Sequence, residues 1–158
     1  MIENLFSLKG RVALVTGGSR GIGKMIAQGF VESGAKTYIS ARKADACDAT
    51  AEELTALGHA PCISLPQDIS TVAGAKMLAE EIYTREGKLD ILVNNAGIQR
   101  DRTIFNMTED EWDAVIEVHL KGHFTITRFA SIVMRQQRGG RIINTSSESG
   151  LGNLGQAN

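Results

Sequence analysis

The sequence is poor in the features that would tie it to a secreted, metal-bound, membrane or nucleic-acid setting. Only two cysteines, Cys47 and Cys62, occur in 158 residues. With no CxxC spacing and no secretion signal they imply neither a disulfide framework nor a zinc site, and both read as reduced structural thiols. No metal site is expected. No apolar run approaches the ~18 residues of a membrane span, and the opening Met1-Ile-Glu-Asn-Leu-Phe carries an acid and no basic region. A cytoplasmic location and no membrane partner are the expectation. Neither sign of charge dominates: 17 basic and 18 acidic side chains leave a formal net charge of -1. A surface built for nucleic acid would need a basic patch or a recognisable motif, and there is none. Tyrosine is scarce as well, with Tyr38 and Tyr83 alone.

What is present is ordinary globular material, 42% apolar and 22% charged. A chain of this length forms about one domain and buries roughly 68 to 70% of its unfolded surface. Residues 1–158 therefore read as a single domain. Apolar runs of strand length alternate with longer stretches of helical period, the pattern of βαβ units feeding a parallel sheet. Val12 to Val15 is a short continuous apolar run, as in a strand covered on both faces. Ile22, Ile26, Ala27, Phe30 and Val31 recur at helical spacing up to Gly34, a suitable residue to end a helix. Lys36 to Ala41 reads as a second strand, Ala44 to Leu57 as a helix stopped by Gly58, and Cys62 to Leu65 as a third strand between the prolines 61 and 66. Ser70 to Glu86, with Leu78 and Ile82 on one face, reads as a third helix, and Leu89 to Asn94 as a fourth strand. Thr108-Glu-Asp-Glu111 has capping-box form. The helix it starts is expected to run to Arg138, with a break near Gly122, and Gly139-Gly140 stops it. Arg141 to Thr145 is a fifth strand and Ser146 to Asn158 a loop.

Between the first strand and first helix lies Thr16-Gly-Gly-Ser-Arg-Gly-Ile-Gly23. Glycines there let the backbone turn tightly and approach a pyrophosphate, whose charge suits the free amides of a helix N-terminus. A glycine cluster alone also fits a bland turn between buried elements. Asn94-Asn-Ala-Gly97 closes the fourth strand, and its asparagines read equally as turn residues. At the end of the second strand Ser40-Ala-Arg-Lys43 stands where enzymes that choose NAD usually place an acid. Arg42 can pair bidentately with a 2′-phosphate, and Arg20 adds a second positive charge nearby. NADP, as NADPH, is the expected cofactor and NAD the less favoured one; solvated surface arginines are the plainer alternative.

The glycine loop, Asp68-Ile69 at the end of the third strand, Asp90-Ile-Leu-Val93, the Asn94 to Gly97 turn and Gly140-Arg-Ile-Ile-Asn-Thr-Ser-Ser147 together resemble the short-chain dehydrogenase/reductase family over essentially the whole chain. The 3-oxoacyl-reductase-like members are the most similar in character. The resemblance implies an α/β fold of Rossmann type, a doubly wound parallel sheet of about five strands in order 3-2-1-4-5 with helices on both faces and the C-terminal strands absent. Strand five would then be an edge. It implies a cofactor site at Gly17, Ser19, Arg20, Gly21, Ile22, Gly23, Arg42, Asp68, Ile69, Asn95, Ala96 and Gly97. It also implies hydride transfer between NADPH and a small ketone or 3-oxoacyl-type substrate.

In this family a serine and a tyrosine serve the substrate oxygen, a lysine lowers the tyrosine pKa, and an asparagine positions a relay water. Ser147 matches the serine, ahead of Ser146 and Ser149. Where the family has Val-Asn-Leu-Lys-Gly, this chain has Val118-His-Leu-Lys-Gly122. His119 reads either as the relay group, since it can donate and accept, or as a packed histidine. The family's Tyr-x-x-x-Lys would follow Gly155-Gln-Ala-Asn158, so the sequence reads as truncated before that motif and the 158-residue chain is expected to be nearly inactive alone. The helix with Trp112, Val115, Ile116, Phe124, Ile126, Phe129 and Ile132 is apolar on more than one side, and a homo-oligomer is expected. A nucleotide-binding or interaction module that keeps the fold without turnover is the alternative reading.

Overall fold

A computed structural model describes residues 5–153 and 155–158. The reading of Met1 to Asn4 and of Leu154 lies outside the described residues. Five parallel strands form one sheet: β1 (Val12–Thr16), β2 (Lys36–Ser40), β3 (Cys62–Ser64), β4 (Ile91–Asn94) and β5 (Arg141–Asn144), in order β3-β2-β1-β4-β5. The helices are α1 (Gly21–Glu32), α2 (Ala44–Thr55), α3 (Val72–Glu86), α4 (Glu109–Ile116) and α5 (Gly122–Gln136). The expected strand order is therefore observed.

Side-chain alternation along β1 divides the core in two. Val12 and Leu14 enter a cluster with Leu78 and Ile82 of α3 and Ile126 and Ala130 of α5. Ala13 and Val15 face the other way, onto Ala27 and Val31 of α1 and Cys47, Ala51 and Leu54 of α2. Because both faces are covered, β1 has no polar face to show, which is why its sequence is a continuous apolar run. Both cysteines are buried and free. Burial is the main cause that pushes the Cys62 thiol up to about 12, and Cys47 is raised by the same cause, so neither is a ready thiolate.

Local chemistry fixes the element ends. Thr71 accepts the Gly74 amide to start α3, and Gly87, at φ 67°, stops it in the left-handed region. The capping box forms as expected: Thr108 Oγ1 accepts the Glu111 amide at 3.2 Å, and Glu111 Oε2 accepts the Thr108 amide at 3.0 Å. Asp90, just before β4, accepts the Val12 amide at 2.9 Å and pairs with Arg11 at 3.1 Å and Lys88 at 3.0 Å, tying the lower ends of β1 and β4 together. Burial opposes its charge, yet these partners hold its carboxyl below the usual range.

Several expectations need correction. Ile22 was counted in the apolar helical spacing of α1 but is 60% exposed, while its neighbour Gly23 is the residue of that turn packed against Gly17 and Asn95. Asp68 and Ile69 lie in the connection after β3, which ends at Ser64, and not at the strand's end. The helix from residue 109 does not break at Gly122: Glu117–Lys121 forms a π-helical turn just before it, and the chain then continues directly into α5. The segment Ser146 to Asn158 is not all loop, since Glu148–Leu151 makes a 3-10 turn. β5 pairs only with β4 and is exposed along its length, an edge as expected.

Leu14 is fully buried between α3 and α5, so Leu14→Ala should lower unfolding free energy by about 2–5 kcal/mol. Ile22→Ala should change it by less than about 0.5 kcal/mol, as at other exposed positions. Urea denaturation of both variants measures the contrast.

Candidate dinucleotide and active site

The strand order places β1 and β4 side by side while their connections run to opposite faces. The crevice at their C-terminal ends is the switch point where open α/β sheets bind ligands. One side of it is the loop from Gly17 to Arg20. Its backbone is stitched to β2 by the Gly17 and Gly18 amides, which donate to the Ser40 carbonyl at 2.8 and 3.3 Å. The other side is the turn from Asn95 to Ile98 after β4.

Thr16 joins the two. Its buried hydroxyl donates to the Val93 carbonyl at 3.2 Å and accepts the amides of Asn95 at 3.0 Å and Ala96 at 3.1 Å. Asn95 answers by donating its Nδ2 to the Thr16 carbonyl at 3.1 Å and to the Gly17 carbonyl at 3.5 Å. The glycines follow from this closeness. A Cβ on Gly17 would stand 2.9 Å from Ala96 Cα, and one on Gly23 would overlap the Gly17 carbonyl oxygen and sit 2.5 Å from Asn95 Nδ2. Gly17 and Gly21 are both left-handed, at φ 67° and 55°, but a Cβ on Gly21 would meet no atom within 4 Å. That open space lies at the start of α1, whose N-cap, Arg20, makes no side-chain cap. The first-turn amides of α1 are therefore left for a ligand or water, and the site fits the anionic pyrophosphate of a dinucleotide.

Arg20 and Arg42 are both exposed, and among the described residues neither is in an ion pair. Arg42 follows β2 directly, beside the strand that holds the glycine loop. Ser19 is tied down by its carbonyl, which accepts Thr50 Oγ1 at 2.8 Å. Asp68 and Ile69 are the least involved of the expected cofactor residues. The Asp68 carboxylate accepts the amide and hydroxyl of Ser70 at 3.0 and 2.8 Å. Ile69 is 6% exposed in the core, and its carbonyl accepts Thr125 Oγ1 at 2.6 Å.

Ser147 comes three residues after β5, whose register pairs Asn144 with Asn94, so it lies on the same rim as the Asn95 turn. Its Oγ accepts the Ser149 amide at 3.2 Å, which leaves the hydroxyl proton free to donate. Ser149 is engaged differently, donating to Gln156 Oε1. His119 stands on the π-turn, the kind of local widening often found at functional sites. Its Nε2 is 3.0 Å from the Ile98 amide nitrogen and 2.8 Å from the Ile98 carbonyl oxygen. Its ring occupies the place a Cβ on Gly97 would need, at 2.7 Å from Cε1. Neither tyrosine is here: Tyr38 is fully buried and donates to Glu86, with burial first and that carboxylate second raising its phenol above the ordinary range.

Two participants escaped the sequence reading. Thr16 was seen only as the first letter of a glycine motif, although a hydroxyl at a strand end can both donate and accept. His123 went unremarked, though it falls four residues after His119 and hence on the same helical side. Its Nε2 lies 3.3 Å from the Ala96 carbonyl oxygen.

The model of the short chain dehydrogenase family matches residues 11–157. The chain is 41% identical over 155 residues to the rhamnolipids biosynthesis 3-oxoacyl-[acyl-carrier-protein] reductase of Pseudomonas aeruginosa, covering 96% of this chain and 60% of that protein. It is 44% identical over 169 residues to the hydroxyacyl-CoA dehydrogenase ChsB1 of Mycobacterium tuberculosis, covering 98% and 53%. Among solved structures, the Pseudomonas aeruginosa RhlG/NADP active-site complex superposes with a TM-score of 0.88 at 41% identity, over 96% of this chain and 60% of that one. The chain thus spans between about half and three fifths of the length of these relatives.

Thr16→Val keeps the shape but strands two buried amides, and should cost about 2–3 kcal/mol in urea unfolding, whereas Thr16→Ser should cost under about 1 kcal/mol. His123 gives a second expectation. Burial first, and the neighbouring His119 charge, hold it below the usual histidine range against the opposing pull of the Ala96 carbonyl. An unfolded histidine takes its proton near about pH 6.5, and the folded one only lower. Stability should therefore be full above that pH and decline as pH falls through it, and His123→Gln should flatten that part of a stability–pH curve.

Proposed function

The chain belongs to the short chain dehydrogenase family, and from that premise we propose that residues 1–158 form a single dinucleotide-binding domain of an NADP-dependent oxidoreductase acting on ketones of 3-oxoacyl type. The observation that carries this reading is the interlock of Thr16, Gly17, Gly23 and Asn95 around an uncapped helix start, with Arg20 and Arg42, in no ion pair among the described residues, beside it. Two relatives are named for reactions on acyl thioesters, and one solved relative is named as an NADP complex. The cofactor residues proposed are Gly17, Ser19, Arg20, Gly21, Ile22, Gly23, Arg42, Asp68, Ile69, Asn95, Ala96 and Gly97, with Asp68 and Ile69 contributing as the supports they are seen to be.

NADPH, when bound, supplies the hydride. The first-turn amides of α1 receive the pyrophosphate, and Arg42, helped by Arg20, pairs with the 2′-phosphate, where an acid would repel it. Ser147 donates its free proton to the substrate oxygen as that oxygen gains charge, the kind of help that is strongest where water is excluded. His119 orders the relay water. The phenol that would complete proton delivery is absent from the site, and a positioned general acid is commonly worth about 10² to 10⁴-fold. The 158-residue chain assayed alone therefore binds cofactor with little turnover. The exposed apolar side chains of α4 and α5, Trp112, Phe124 and Ile132, serve a homo-oligomer contact. The alternative is a nucleotide-binding module that keeps the fold without turnover.

Fluorescence titration should show NADPH binding more tightly than NADH. Arg42→Asp should weaken NADPH by about ten- to a hundredfold, as for loss of a charged hydrogen-bonded pair, and leave NADH little changed. Equal binding of the two cofactors, or an unchanged preference in the variant, would sink the assignment. NADPH oxidation over a panel of ketones and 3-oxoacyl thioesters then separates an oxidoreductase from a silent binding module.

A further inference from the structure

The turn from Asn95 to Ile98 is held on one side by Thr16, and on the other by two imidazoles four residues apart. Their ring centroids are 6.4 Å apart and their planes inclined at 43°. The two rings meet the turn differently. His123 faces a carbonyl oxygen, which only accepts, so its Nε2 must carry hydrogen, and it can donate there whether the ring is neutral or charged. His119 faces both backbone groups of Ile98 with one nitrogen. A bare Nε2 accepts the amide; a protonated Nε2 donates to the carbonyl. His119 can thus gain or lose hydrogen at that nitrogen without letting go of the turn, while its contact changes from one Ile98 group to the other. Such a contact cannot alone hold Ala96 and Gly97 in one place. The fixed bond from His123 does so.

We propose that His123 is a positioning residue for the dinucleotide site: it pins the Ala96 carbonyl, so that the turn bearing Asn95, Ala96 and Gly97 stays in register with the glycine loop while His119 exchanges partners at Ile98. This deepens the nucleotide reading above and rests on it. His123 lies on α5, part buried, and touches neither the glycine loop nor Ser147 in any recorded hydrogen bond, so its influence passes through the backbone of the turn.

The test uses the full chain labelled with 15N, as wild type, His123→Phe and His123→Gln. Imidazole nitrogen shifts at about pH 8, above the ordinary histidine pKa, should show His123 as the neutral Nε2–H tautomer. His123→Phe keeps bulk and removes the donor. It should weaken NADPH binding about five- to tenfold, the effect of one lost hydrogen bond, and speed amide exchange at Gly97 and Ile98. His123→Gln restores an N–H donor and should stay within about twofold of wild type. The Nδ1–H tautomer at His123, unchanged binding and exchange in His123→Phe, or a His123→Gln as weak as His123→Phe would each overturn the proposal. Should the wild type bind no NADPH, the nucleotide reading fails on its own account. The tautomer and the amide exchange then still decide whether His123 holds the turn, unaltered exchange in His123→Phe showing that it does not.

Discussion

Everything at the candidate site depends on the hydroxyl of Thr16. A buried β-strand end must satisfy its backbone groups, and here two consecutive amides, those of Asn95 and Ala96, leave β4 with no strand partner. Thr16 Oγ1 takes both and gives its own proton to Val93. The bond draws the β1 and β4 loops so close that side chains no longer fit between them. Gly17 and Gly23 are glycine because the neighbouring Ala96, Asn95 and Gly17 backbone fill the space. Gly17 is left-handed as well, but Gly21 is glycine for its left-handed backbone alone, beside open space. One motif thus holds two kinds of glycine, those demanded by the protein's own packing and one that leaves room for something else.

The remaining pieces arrange charge and protons around that clasp. Positive charge comes from the uncapped start of α1 and from two arginines that make no ion pair among the described residues. Proton-handling groups come from the opposite rim, where Ser147 keeps a free hydroxyl proton and two histidines lean on the Asn95 turn. The π-turn at Glu117–Lys121 matters because it widens the helix where His119 must reach Ile98. Relatives named for reductase and dehydrogenase reactions on acyl thioesters place this arrangement in the short chain dehydrogenase family.

Much of the fold was legible because buried parallel strands and amphipathic helices leave strong periodic marks. The continuous apolar run of β1, the capping box at Thr108 and the glycine after α3 each report a local constraint that one segment can satisfy by itself. Ile22 misled for the same reason: its spacing matches the apolar face of α1, but spacing does not tell that in the first turn it is Gly23 that packs inward. Asp68 was placed at the end of the third strand by the family match; only pairing with β2 decides that β3 ends at Ser64. The histidine pair was half seen, since His119 stands in a recognisable pattern and His123 in none.

By itself the sequence determined the parallel βαβ character through the alternation of runs, the family, and with it the strand order, through its spaced motifs, and the sign of charge beside the glycine loop, since each depends on neighbours along the chain. Tertiary structure alone decided that Thr16 clasps two loops, that the ring of His119 fills the space over Gly97, and that His123 reaches Ala96. Those contacts join residues 21 to 80 positions apart. No local pattern records such distances; they exist only once β1, β4 and α5 are packed side by side.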